Sequence, residues 1–109
     1  MLFRSGTAGG KYDIWGKANA YGPGGAILVY AYIRTGSSTY GSATLKSQSY
    51  GNTSSGGGEE SAPVFASVYL NAGDTIHLGA LVQAATGNRV LRGDSSAAGS
   101  TSMIFRRAD

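Results

Sequence analysis

One histidine, His77, and six acidic residues are all that this chain of 109 residues offers to acid–base or metal chemistry. Cysteine is absent, so neither a thiolate metal site nor a disulfide framework is available. Asp74 and His77 stand three apart across a turn-like cluster, which is not a ligand spacing. Glu59 and Glu60 with Asp74 are the carboxylates that sugar hydrolysis would need. The two glutamates, however, close a low-complexity run, Gly51 to Glu60, which reads as a loop unable to hold a catalytic geometry. No Gly-x-Ser-x-Gly elbow is followed by Asp and His, and Gly56-Gly57-Gly58 lacks the Lys and Ser/Thr of a phosphate loop. Arg92-Gly93-Asp94 spells a tripeptide that some integrins recognise, and Asn52-Thr53-Ser54 fits a glycosylation acceptor. Both matches are short, and strand-to-turn chemistry accounts for them as well. These residues predict a non-enzyme with no cofactor and no metal.

Recognition chemistry is better represented. Trp15 and the tyrosines are numerous for so small a core, and several fall on the opposite parity to the aliphatic residues. Tyr and Trp combine apolar area with a polar handle, which suits protein or sugar contacts. Trp15, Tyr21, Tyr40 and Tyr50 are therefore candidate surface-recognition aromatics. Tyr30 and Tyr32 lie in a strand with no other polar side chain and are candidates for a buried subunit interface. His77 is expected in a subunit contact or on a sheet surface. The net charge is +3, but the basic residues are scattered and make no stripe interleaved with aromatics, so no nucleic-acid partner is expected.

The elements that must position these residues are strands. Val64, Ala66, Val68 and Leu70 alternate with Phe65, Ser67 and Tyr69; after Asn71-Ala72-Gly73-Asp74, Ile76, Leu78, Ala80 and Val82 alternate with His77, Gly79 and Leu81. The pattern predicts a hairpin over 64–82, with Gly73 at positive φ and Asp74 bonding its own backbone. Lys11 to Ala20 predicts a strand with Tyr12, Ile14, Gly16, Ala18 and Ala20 on one face. Tyr21 to Gly25 is a turn, and Ala26 to Ile33 is an unbroken apolar strand, expected to be covered on both faces. Residues 40–50 read as a polar edge strand, Arg89 to Arg92 as a short strand and Thr101 to Arg107 as the closing one. These make about seven strands, and either Leu2-Phe3-Arg4 adds a shortened first strand or the sheet borrows a strand or cover from a neighbour.

Composition agrees with an all-β chain. Glycine makes up 18 of the 109 residues, clustered between apolar runs, and charged residues are only 14%. No apolar run approaches the roughly 20 residues of a membrane-spanning helix, so no membrane insertion is expected. A domain this small hides only about two-thirds of its unfolded surface, which makes association a natural source of further stability.

Four pieces of the chain together resemble a known family. Leu70-Asn71-Ala72-Gly73-Asp74-Thr75-Ile76-His77-Leu78 is similar to the Leu-x-Ala-Gly-Asp-x-Ile/Val-x-Leu hairpin of C1q-like domains. Gly10-Lys11-Tyr12-Asp13-Ile14-Trp15-Gly16 resembles the early Gly-x-Tyr strand, Ala26 to Arg34 with Thr35-Gly36-Ser37 the central strand, and Ser100 to Phe105 the closing strand. The closing strand departs from the family's Phe-x-Gly pattern, having Ser102-Met103-Ile104. The resemblance implies an antiparallel jelly-roll β-sandwich of the C1q/tumour necrosis factor kind, residues 1–109 forming one domain with a shortened first strand region. It also implies a homotrimer, for which Tyr30, Tyr32, His77, Leu81 and Phe105 are the expected interface. Such domains occur in bacteriophage virion proteins. The expected role is a trimeric decoration or cement protein on a phage capsid, located at the virion surface and contacting a capsid lattice or tail. A stalk would hang such a domain from a fibre, and no collagen-like repeat or heptad precedes it in this sequence. The alternatives are a tail-fibre tip that binds a cell-surface glycan, and a secreted ligand of the same superfamily.

Overall fold

The computed structural model describes residues 2–4, 9–22, 24–53, 58–86, 90–91 and 101–108, which form two antiparallel sheets. The strands are β1 (Leu2–Arg4), β2 (Gly10–Gly22), β3 (Gly24–Thr35), β4 (Thr44–Thr53), β5 (Gly58–Leu70), β6 (Thr75–Thr86), β7 (Val90–Leu91) and β8 (Ser102–Arg107). The first sheet has the order β1-β6-β3-β4. In the second, β5 lies on one side of β2, and β7 and β8 lie on the other. The arrangement is compatible with a β-sandwich.

Its construction is simpler than eight strands suggest. β2 and β3 run against β5 and β4 as one long ribbon, with Gly10 opposite Leu70, Gly22 opposite Gly58, Ile27 opposite Thr53 and Ile33 opposite Ser47. No residue is gained or lost in that register until a bulge at Ile33/Arg34. The ribbon's two halves belong to different sheets, so it folds over in the middle. Gly22 at the end of β2, Gly24 at the start of β3 and, on the other strand, Gly58 at the start of β5 border the crossing. β6 follows β3 on the far side, and β7 carries the same register onto β2, with Thr35 opposite Ile76 and Ala20 opposite Leu91.

Alternation decides what goes inside. Tyr12, Ile14, Ala18 and Ala20 of β2, Ala62, Val64, Ala66 and Leu70 of β5, and Met103 of β8 meet Val29, Ala31 and Ile33 of β3 and Ile76 and Leu78 of β6 in one core. Five of these are alanines, so the sheets approach closely over a core of small side chains. The predicted inward face of β2 is the observed one. The end of the chain is tied to the same strand, since Thr101 bonds the Asn19 backbone at 3.0 Å and the Ala108 amide donates to the Lys11 carbonyl at 2.7 Å.

Three expectations need correction. The 71–74 turn forms as predicted, with Gly73 at φ 80° and the Asp74 carboxylate accepting from the Asn71 amide at 2.8 Å, but it is not a hairpin turn. It is an arch between sheets, because β5 and β6 each find a longer partner elsewhere, β5 on β2 and β6 on β3. Gly51–Thr53 and Gly58–Glu60, expected in a loop, are strand ends paired across the fold. The strand over 26–33 buries Ile27, Val29, Ala31 and Ile33 completely, whereas Leu28, Tyr30 and Tyr32 on its outer side are only half-buried, sheltered by one another and by neighbouring strands. Leu2–Arg4 does form a short first strand, paired with the start of β6.

Candidate functional site

The outer faces of the two sheets both carry aromatic residues. On the second sheet, register places Phe65 opposite Trp15 and Trp15 opposite Ile104. Three large apolar side chains from β5, β2 and β8 thus form one row, 48%, 40% and 67% exposed respectively. The Trp15 and Phe65 rings lie 5.4 Å apart, and the Arg106 guanidinium sits 5.4 Å over the indole. Adjacent rows carry the polar groups: Ser67, Asp13 and Arg106 on one side, and Lys17 and Ser102, beside Pro63, on the other. Ser67 donates to the Asp13 carboxylate at 2.9 Å. An apolar row with a charged border resembles the core and rim of a protein contact.

On the first sheet, Leu81, Tyr30 and Tyr50 form one cross-strand row, and Gly79, Tyr32 and Gln48 form the next. Tyr30 and Tyr32 stack at 6.2 Å with an interplanar angle of 9°, and Tyr50 leans on Tyr30 at 5.9 Å. A cleft of about 370 Å³ opens here, lined by Tyr30, Gln48, Ser49 and Tyr50.

His77 has a different environment from either. The segment after β3 turns back at Gly36 (φ 99°) and lays a short 3-10 turn, Tyr40–Ser42, over the start of β6. The Ser37 carbonyl accepts from the Thr75 hydroxyl and from His77 Nε2, the latter at 2.7 Å. The Tyr40 ring meets the imidazole edge-on at 5.8 Å, fills the space over Gly79 and carries the Arg34 guanidinium 4.9 Å from its centre. Arg34 also donates to the Ala43 carbonyl at 3.1 Å. His77 is left 6% exposed and works as an anchor for residues 36–43. Among the described residues, no three His, Asp or Glu side chains gather as a metal site would require. No family model matches this chain, and neither a curated protein nor a solved structure does.

The residues singled out from sequence are therefore distributed over several surfaces. Tyr30, Tyr32 and Leu81 share the outer face of the first sheet; His77 is on that face but under residues 36–43; Phe105 turns inward and packs 6.3 Å from Tyr12. Trp15 is in the exposed row, Tyr21 lies at the end of β2, Tyr40 caps His77 and Tyr50 lines the cleft. Arg92-Gly93-Asp94 lies outside the described residues, as do Ser54 and the Glu59 side chain. Sequence reasoning missed Phe65 and Ile104. Phe65 carried a signal, being of opposite parity to Val64 and Ala66, while Met103-Ile104-Phe105 is apolar throughout and hides which residue faces out.

His77→Ala is expected to destabilise the chain by about 1–2 kcal/mol, through the lost hydrogen bond and ring contact. Amide exchange at Gly36 and Ala43 should speed up while the molecular mass stays the same. A drop in mass instead would put His77 in a subunit contact.

Proposed function

We propose that the chain is a non-enzymatic structural protein that works by surface contact, associating as a homotrimer. The observation that carries this reading is the Phe65–Trp15–Ile104 row. Three large apolar groups side by side in water are a surface that association covers, at about 25 cal/mol for each Å² buried. The C1q-like resemblance supplies the threefold symmetry and the setting, a decoration or cement protein on a phage capsid. The ribbon folded through both sheets supports a jelly-roll reading of the sandwich.

Light scattering on the purified chain at micromolar concentration is expected to give three times the chain mass. Ile104→Asp, at a position 67% exposed in the single chain, is expected to yield a folded monomer with an unchanged far-ultraviolet circular dichroism spectrum and a lower melting temperature. A wild-type monomer, or an Ile104→Asp trimer, would overturn the association through this face. Co-purification with full capsids at a fixed ratio tests the setting.

A further inference from the structure

The cleft on the first sheet has a chemistry of its own. Two phenol rings and a carboxamide, from Tyr30, Tyr50 and Gln48, line it together with Ser49, whose hydroxyl is turned away onto the Pro63 carbonyl. Asn52 is exposed on the same face of β4, two residues beyond Tyr50, so carboxamides flank the tyrosine on both sides along the strand. Tyr32 lies directly opposite Gln48 and extends the ring surface by stacking on Tyr30. No charged residue occurs between Leu28 and Ile33 or between Ser47 and Asn52. The nearest cation on β3, Arg34, is already engaged with Ala43 and Tyr40.

From this we infer that the Tyr30–Tyr50 cleft is a binding site for a neutral glycan. Three features select that ligand class. The exposed ring faces match the C–H faces of a pyranose, giving apolar contact without demanding a wholly apolar ligand. The carboxamides and phenol hydroxyls both donate and accept, as sugar hydroxyls do, so they can be satisfied in pairs. None of the four lining residues is charged, and Lys46 is exposed two residues before Gln48 on β4 but is not one of them. A carboxylate or sulfate therefore has no partner inside the cleft, and neutral sugars are the preferred ligands. At about 370 Å³ the cleft lies near the lower end of small-ligand sites, which suits one or two sugar rings. β4 is the edge strand of its sheet, so a longer chain can run past the cleft without meeting a wall.

The site lies on the opposite face from the Phe65–Trp15–Ile104 row and goes beyond the assembly reading. Its test is independent of that reading, since a monomer would present the same cleft. The full chain is applied to a printed array of neutral, carboxylated and sulfated oligosaccharides. Neutral hits are then titrated in solution while amide shifts are followed. The expected result is saturable binding at millimolar Kd or tighter, with shifts centred on Tyr30, Gln48 and Tyr50. Tyr50→Ala is expected to weaken it at least about tenfold, because it removes a ring that is 67% exposed and supports little of the fold. Gln48→Ala should weaken it less, and Tyr69→Ala, at a position 70% exposed on β5, should leave it unchanged. The inference is overturned if no neutral glycan on the array binds, if only anionic ones do, or if Tyr50→Ala and Gln48→Ala bind like the wild type.

Discussion

Gly51→Ala is expected to lower stability by about 3 kcal/mol, the upper part of the range for an overfilled contact. Gly51 lies in β4, and its missing side chain would point across the seam where β4 of one sheet passes β5 of the other. A Cβ there would collide with the Ser61 carbonyl oxygen and press on the Glu60 carboxylate. A carbonyl in a paired strand cannot swing aside as a side-chain tip can, so the two strands must separate. The same seam is held by Ser49, whose hydroxyl donates to the Pro63 carbonyl, and separation would break that bond. Urea denaturation followed by circular dichroism should show an earlier midpoint with an unchanged slope. Gly41→Ala is the control, because a Cβ at that position would meet nothing within 4 Å. Equal stabilities for the two variants would mean that β4 and β5 do not approach this closely.

Ile14→Ala is expected to destabilise by about 3–4 kcal/mol, within the usual range for deleting a buried aliphatic side chain. Ile14 is completely buried and is the largest fully buried side chain on β2, the strand to which β5, β7 and β8 are all paired. Its register neighbours are Ala66 and Phe105. The alanines at 18, 20, 31, 62 and 66 have no side-chain torsion with which to refill the space. Of the two register neighbours, Phe105 alone has side-chain torsions, and it is already turned inward against Tyr12. The cavity should therefore persist, and thermal denaturation is expected at least about 10 °C lower for a domain of this size. A loss under about 1 kcal/mol would show that the sheets collapse onto the gap.

These two effects bear on function through spacing. The exposed row and the tyrosine cleft are on opposite sides of the same small-residue core, and each depends on cross-strand register for its geometry. Loosening the seam at Gly51 disturbs β4, which carries Gln48 and Tyr50; loosening the core at Ile14 disturbs β2, which carries Trp15.

Much was legible in the chain alone because it is local. Alternation at Tyr12, Ile14, Ala18 and Ala20 identified both the strand and its buried face, since successive side chains of a strand point in opposite directions whatever the partner. The turn at 71–74 could be read from Gly73 and Asp74, because positive φ and a carboxylate reaching its own backbone are properties of those residues. The all-β class and the position of the final strand belong with them. Tertiary structure decided the rest, because partner choice depends on residues far apart in the chain. Nothing near Asn71 reveals that β5 will pair with β2 and β6 with β3, making an arch of an apparent hairpin. Gly51 reads as the first glycine of a loop until β5 is seen to pass it. The Phe65–Trp15–Ile104 row exists only once three distant strands are in register, and His77 is buried only because residues 36–43 fold back over it.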